Sequence, residues 1–214
     1  MLESLKDAVE GVYKAFREVP KPTKIDGCPC CIDEKKICVL IAKPLRELTP
    51  DDLTNYASSV FLTVGAVEDF LYFLPRLLEI LVTDPGWWPD PEVVTRAIDT
   101  SGFFTWPVVR RDAVLRYFDG VIDDLLATDG SGWQLDSWIC ALGRLHLDLA
   151  PFLTRIRNNG ARLIELCDVN GEALQKGELR NSFWEEAPQE AKEFVDWIRS
   201  AETQSAILKH YEQA

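Results

Sequence analysis

The chain has 214 residues and a formal net charge of −12, and 47% of its residues are hydrophobic. This apolar content is sufficient for a folded core and excludes global disorder. The acidic excess opposes binding to nucleic acid and to anionic membranes, because both carry negative charge. The excess is concentrated in residues 65–150, which have 6 basic and 14 acidic side chains, and it favours a basic protein partner.

The N-terminal residues 1–7 are charged and amphipathic, without the apolar segment of a signal peptide. No apolar run approaches the roughly 20 residues needed to cross a bilayer. We therefore expect a soluble cytoplasmic protein whose thiols are kept reduced.

Apolar residues recur at helical spacing along most of the chain, and no segment alternates as a strand would. Thr49 and Pro50 form a strong helix start, with Thr49 as the cap and Pro50 at the first helical position. The predicted helices cover residues 2–18, 33–42, 50–64, 67–82, 91–98, 107–127, 133–145, 150–158, 161–174 and 188–212, the last with a break near Ser200.

These nine or ten helices predict an all-α fold. It is either an irregular multi-helix bundle or a short HEAT-like array of antiparallel helix pairs. Residues 1–214 are expected to form a single helical domain, with a cysteine-bearing loop at 19–32.

The cysteine cluster in that loop is the segment richest in potential metal ligands. Cys28 and Cys31 have the spacing of a zinc half-site, and Pro29 stiffens the turn between them. A closed site needs about four ligands. The residues that could complete it are Cys30, Cys38, Asp26, Asp33 and the distant His146 and His210. Of these we predict Cys30 and Cys38, around a structural zinc ion. Two alternatives stay open: a redox-active pair, and cysteines that pack as small apolar side chains.

Two further features indicate a surface for a protein partner. Asp119, Asp123 and Asp124 lie within the acidic middle of the chain and would attract a basic surface. Trp87 and Trp88 lie in a proline-rich loop, where they are either buried and lock helix pairs together or exposed as a recognition surface. We predict these five residues as partner-binding.

Motifs for catalysis are not evident. The sequence lacks the glycine-rich phosphate loops of nucleotide-binding folds. It has only two histidines, His146 and His210, which disfavours a catalytic triad. The sequence therefore predicts a protein that is not an enzyme.

Several motifs between residues 27 and 82 resemble a group of bacterial all-helical proteins of unassigned function. The motifs are Cys28-Pro29-Cys30-Cys31, the segment Pro44 to Leu53, Tyr56-Ala57, Glu68-Asp69-Phe70 and the segment Phe73 to Glu79. The resemblance implies a bacterial cytoplasmic protein and a helical fold. It implies no activity.

Together these features favour a non-enzymatic acidic binding protein. The leading hypothesis is an immunity protein that neutralises a basic toxin domain in interbacterial competition. A first alternative is a metal- or thiol-dependent enzyme or sensor centred on the Cys28, Cys30 and Cys31 cluster. A second alternative is a helical scaffold that binds a peptide.

Overall fold

The computed structural model describes residues 1–213, and within them it has eleven α-helices, three short 3-10 helices and no β-strand. This confirms the all-α multi-helix fold. The α-helices are α1 Glu3–Phe16, α2 Glu34–Ala42, α3 Pro50–Ser59, α4 Val67–Thr83, α5 Pro91–Thr100, α6 Val108–Leu126, α7 Gly132–Arg144, α8 Ala150–Arg157, α9 Gly160–Lys176, α10 Pro188–Arg199 and α11 Ala201–Gln213. Across residues 1–213, no helix combines the length and the apolar character that a membrane span requires.

The chain divides into two compact units, Met1–Val121 and Ile122–Ala214. In the first unit α1 packs on α4, and α3 contacts α2, α4 and α5. In the second unit α7 packs on α9, which also contacts α8 and α11, and α10 contacts α7 and α11. The single domain expected from the sequence stays a prediction.

Helix α4 supplies much of the core of the first unit. Phe70, Phe73 and Leu74 are completely buried, as the wide apolar stripe of this helix predicts. Each such side chain contributes about 1.5–3 kcal/mol of hydrophobic stabilisation. The hydroxyl of buried Tyr117 donates a 2.8 Å hydrogen bond to the carbonyl oxygen of Leu78, so its polar group is satisfied.

Helix α3 begins as predicted but ends earlier. The Thr49 hydroxyl accepts a hydrogen bond from the Asp52 amide, and the Asp52 carboxylate accepts one from the Thr49 amide, which makes a capping box. The predicted extension to residue 64 is wrong, because the helix ends at Ser59. Residues 60–65 instead form a turn in which Phe61 and Gly65 have positive φ angles.

The C-terminal stretch confirms the predicted break near Ser200. Helix α10 ends at Arg199, and α11 begins at Ala201. The Ser200 hydroxyl accepts a hydrogen bond from the Thr203 amide and so caps the new helix.

Candidate metal centre

The cysteine loop is held against the turn at residues 60–65 by backbone hydrogen bonds. The Cys28 amide donates to the Thr63 carbonyl oxygen at 2.9 Å, and the Gly65 amide donates to the Asp26 carbonyl oxygen at 2.8 Å. Gly27 and Val64 form an isolated antiparallel bridge. Because α3 ends at Ser59, residues 60–65 are available to form the turn that binds the cysteine loop.

Within the loop, residues 28–31 form a tight turn. The amides of Cys31 and Ile32 both donate to the Cys28 carbonyl oxygen, at 2.9 and 3.1 Å. Pro29 occupies the second position of this turn, where its fixed φ angle is favoured. Ile25 and Ile32 are buried on either side of the turn and anchor the loop to the core. The sequence thus builds a rigid backbone beneath the cysteines.

The turn brings three thiol sulfurs together. The Sγ atoms of Cys28, Cys30 and Cys31 all lie within 4.8 Å of one another. The Cys28–Cys30 Sγ distance is 2.8 Å, and the Cys30–Cys31 Sγ distance is 3.9 Å. Cys30 is exposed, whereas Cys28 and Cys31 are half-buried. The cluster is therefore open to solvent on the Cys30 side.

Cys28 and Cys30 alter each other's pKa. Hydrogen bonding with Cys30 lowers the pKa of Cys28 below its usual value, with a smaller contribution from Cys31. Hydrogen bonds with Cys28, and then with Cys31, raise the pKa of Cys30 to about 11. The arrangement favours a thiolate at Cys28 that is stabilised by a protonated Cys30.

The polar support for the turn comes from α2 and α3. The Asn55 side-chain amide donates to the Cys31 carbonyl oxygen at 3.2 Å, and its oxygen accepts from the Lys36 ammonium at 2.7 Å. Asp33 caps α2 by accepting from the Lys36 amide at 2.8 Å. Asn55 therefore ties the second half of the turn to two helices at once.

The segment that contains the cluster is locally basic in an acidic protein. Residues 19–43 contain five lysines and three carboxylates. Three thiolates around a divalent ion carry a net charge of −1, and a basic surrounding offsets that charge.

Cys38 does not join the cluster, which corrects its prediction as a ligand. It lies in the second turn of α2, beyond the Asp33 cap, and its side chain is exposed. It also does not pack on an apolar face. Cys140, by contrast, is buried in α7. Burial raises the pKa of half-buried Cys167 to about 11, as expected for a packed thiol.

The structure separates the two tryptophans predicted to bind a partner. Trp87 is buried, and its indole nitrogen donates to the Pro50 carbonyl oxygen at 3.0 Å and to the Thr54 hydroxyl at 2.9 Å. Its assignment to a partner surface is therefore corrected: Trp87 is a core residue with a satisfied polar group. Trp88 is 52% exposed.

The predicted acidic residues lie on α6. Asp119 and Asp123 are exposed, and Asp124 is half-buried. Asp123 accepts a 2.8 Å hydrogen bond from the guanidinium of Arg155, so part of its charge is neutralised.

Both histidines contact other side chains of the protein: His146 contacts the Glu190 carboxylate at 2.7 Å, and the ring of His210 lies against that of Tyr211.

The sulfur triangle matches the requirements of a thiophilic ion. Zinc–sulfur bonds of about 2.3 Å in a tetrahedral site place two sulfurs about 3.8 Å apart. The 3.9 Å separation of Cys30 and Cys31 already fits this value. The 2.8 Å separation of Cys28 and Cys30 has to widen by about 1 Å, which a small rotation of the exposed Cys30 side chain supplies. Among residues 1–213, no histidine, carboxylate or further cysteine joins the three sulfurs.

The Asn55 contact provides a test that leaves every sulfur in place. If the cluster binds zinc as predicted, Asn55→Ala is expected to lower the zinc affinity by about tenfold, because Asn55 holds the backbone of Cys31 and groups that position metal ligands typically contribute that much. Isothermal titration of zinc into the reduced protein measures the change. Asn158→Ala, at an exposed site in the second unit, is the matched control and should bind zinc like the parent. Equal zinc affinities of the two variants would show that Asn55 does not support the metal site.

The comparisons with known proteins add no relatives: no family model, no curated protein and no solved structure matches this chain. The resemblance noted in the sequence therefore stays a prediction.

Proposed function

We propose that this protein binds a thiophilic metal ion, zinc being the ion proposed, through the thiolates of Cys28, Cys30 and Cys31. The observation that carries the proposal is the convergence of three sulfurs within 4.8 Å on one backbone-anchored turn. Soft thiolate ligands select ions such as zinc and monovalent copper over calcium or magnesium.

The number of ligands distinguishes this proposal from a closed structural site. Structural zinc sites have four protein ligands, whereas sites with three keep one position for water or another molecule. Three cysteines are grouped here within residues 1–213. The proposed centre therefore has one exchangeable position, which water or another molecule can occupy.

We place this function in the cytoplasm, where thiols are reduced and available to metals. Metal binding there competes with protons, because each thiol must lose its proton to become a ligand. The lowered pKa of Cys28 assists that loss. We propose binding of the ion, without catalysis, as the role of the protein.

The experiment is a cobalt titration of reduced, metal-free protein. Cobalt substitutes for zinc, and the intensity of its sulfur-to-metal charge-transfer absorption increases with the number of thiolates bound. One equivalent of cobalt with three thiolates, displaced by zinc, is the expected result. Absence of charge-transfer absorption, together with no metal retained through purification without chelators, would contradict the proposal.

A second candidate function is recognition of a basic protein, such as a cognate toxin domain by an immunity protein. It is supported by the concentration of acidic residues in 65–150 and by the exposure of Asp119 and Trp88. The partial neutralisation of Asp123 by Arg155 weakens this support. For that reason the metal centre is the first proposal.

Charge reversal tests the second candidate. If the acidic part of α6 binds a basic partner, Asp119→Lys should lower the amount of that partner captured from a bacterial lysate at low salt by roughly tenfold or more, because one attraction becomes a repulsion. Quantitative mass spectrometry of the captured proteins measures this. Asp168→Lys, an exposed position on α9, gives the same net charge and is the control. Equal capture by the two variants would contradict a role for Asp119.

A further inference from the structure

One pair within the cluster is closer than metal coordination requires. The Sγ atoms of Cys28 and Cys30 are 2.8 Å apart, about 1 Å less than two ligands of one tetrahedral zinc ion. Cys30 is exposed, so a small molecule can reach this pair from solvent. Two accessible thiols at this distance can form a disulfide with each other, in addition to binding a metal.

The neighbouring pair is less suited to such a bond. The Sγ atoms of Cys30 and Cys31 are 3.9 Å apart. A disulfide between adjacent residues also closes a small ring that contains their own peptide bond, and a planar trans peptide resists that distortion. Between Cys28 and Cys30 the intervening Pro29 makes the ring larger and leaves the peptide bonds less constrained.

We propose that Cys28 and Cys30 form a reversible disulfide by thiol–disulfide exchange with a small-molecule disulfide of the glutathione class. The loop thereby acts as a switch that holds its metal ion only in the dithiol state. The formation of the disulfide is independent of the proposed function, and the release of the ion depends on it.

The exchange proceeds in two balanced steps. In the first, one thiol of the pair loses its proton and attacks a sulfur of glutathione disulfide, which forms a mixed disulfide and releases one glutathione thiolate. In the second, the other thiol loses its proton and attacks the protein-side sulfur, which closes the Cys28–Cys30 bond and releases the second glutathione. The protein loses two electrons and two protons, and glutathione disulfide is reduced to two glutathione molecules.

The backbone of the loop does not depend on the state of the sulfurs. The Cys28 amide is held by Thr63, and the Cys28 carbonyl oxygen accepts from the amides of Cys31 and Ile32. The hydrogen bonds that hold the turn use no sulfur atom, so the Cys28–Cys30 bond can form without replacing any of them. A site that changes its ligands while keeping its scaffold can cycle between the two states.

The first experiment follows the reaction in metal-free protein. Reduced protein is incubated with glutathione disulfide, quenched with acid and weighed by mass spectrometry. After digestion, the peptide that contains residues 28–31 is expected to lose the mass of two hydrogens in the parent and in Cys31→Ser, whereas in Cys30→Ser it is expected to stop at a glutathione adduct. Cys38→Ser, at an exposed cysteine outside the cluster, should react like the parent at the loop.

Two results would overturn the proposal. One is a parent protein that accumulates only glutathione adducts. The other is an intramolecular disulfide that survives in Cys30→Ser and disappears in Cys31→Ser, which would assign the bond to Cys28 and Cys31. Circular dichroism of each variant verifies that the helical fold is retained.

The second experiment uses zinc-loaded protein and a chromophoric zinc chelator. Addition of glutathione disulfide should release about one equivalent of zinc from the parent, and a reductant followed by zinc should restore it. Retention of zinc while the disulfide forms would overturn the switch. Protein that never binds zinc but forms the Cys28–Cys30 bond would contradict the proposed function and leave the exchange reaction supported, so the two failures are distinguishable.

Discussion

Replacing Cys31 with serine is expected to lower zinc affinity by at least about 100-fold, because loss of a ligand exceeds the cost of losing an outer-shell partner. A hydroxyl is a poor substitute for a thiolate, since it stays protonated at neutral pH. Competition with a chromophoric chelator at constant pH measures the affinity.

This substitution also separates the two roles of the loop, since Cys31 is outside the pair that forms the proposed disulfide. Cys31→Ser should lose the metal and keep the exchange reaction, whereas Cys30→Ser should lose both. Cys38→Ser is the matched control, because it changes an exposed cysteine that is not part of the cluster. Undiminished affinity in Cys31→Ser would show that the ion is held elsewhere.

Gly65→Ala is expected to destabilise the fold by about 2–4 kcal/mol, because it combines backbone strain with a steric clash. Gly65 has a φ angle of +76°, which an alanine adopts only at a cost. Its added methyl group would lie 2.8 Å from an oxygen of Asp69 and 3.1 Å from Tyr56. The Asp69 carboxylate cannot move aside easily, because it accepts hydrogen bonds from the Tyr56 hydroxyl and the Ala66 amide.

The same change should also weaken metal binding, although Gly65 is not a ligand. The Gly65 amide donates a hydrogen bond to the carbonyl oxygen of Asp26, just before the cysteine cluster. Displacement of the turn would therefore weaken the backbone contacts that position the three cysteines. Chemical denaturation measures the free energy of unfolding, and zinc titration measures the affinity for the metal. Gly86→Ala is the control, because its new methyl group meets no atom within 4 Å, and it should leave both unchanged. A Gly65→Ala protein as stable as the parent would contradict the assigned role of the turn.

The helices could be predicted from the sequence because each presents an apolar stripe and most have clear end signals. Thr49 and Pro50 at the start of α3 are an example, and the capping box confirms it. The end of α3 was mispredicted because Val60 and Phe61 continue the apolar pattern. What stops the helix is the pairing of residues 60–65 with the cysteine loop, and that pairing exists only in the tertiary structure.

Part of the candidate site could be predicted because it is local in the sequence. Cys28, Cys30 and Cys31 are adjacent in the chain, so a tight turn suffices to group them. Asn55 could not be found, because its contact with Cys31 depends on the packing of α2 against α3. The short stretch Thr63-Val64-Gly65 was a usable signal, since β-branched residues followed by glycine are typical of extended pairing and turns.

The two corrected residues show where local patterns mislead. Cys38 was predicted as a fourth ligand because it is a cysteine near the cluster in the sequence. The Asp33 cap, however, begins helix α2, and Cys38 lies in that helix rather than in the turn. Trp87 lies in a proline-rich loop, which is typical of an exposed position. Its burial depends on two acceptors in α3, the Pro50 carbonyl oxygen and the Thr54 hydroxyl, which no short-range pattern predicts.

X-ray absorption spectroscopy at the zinc edge of the loaded, reduced protein counts the atoms bound to the ion and identifies how many of them are sulfur. The open three-thiolate centre predicts three sulfur atoms at about 2.3 Å and one oxygen or nitrogen at about 2.0–2.1 Å. Four sulfurs would mean a closed site with an additional cysteine. A first shell of oxygen and nitrogen alone would mean that Cys28, Cys30 and Cys31 do not hold the ion, and would contradict the account.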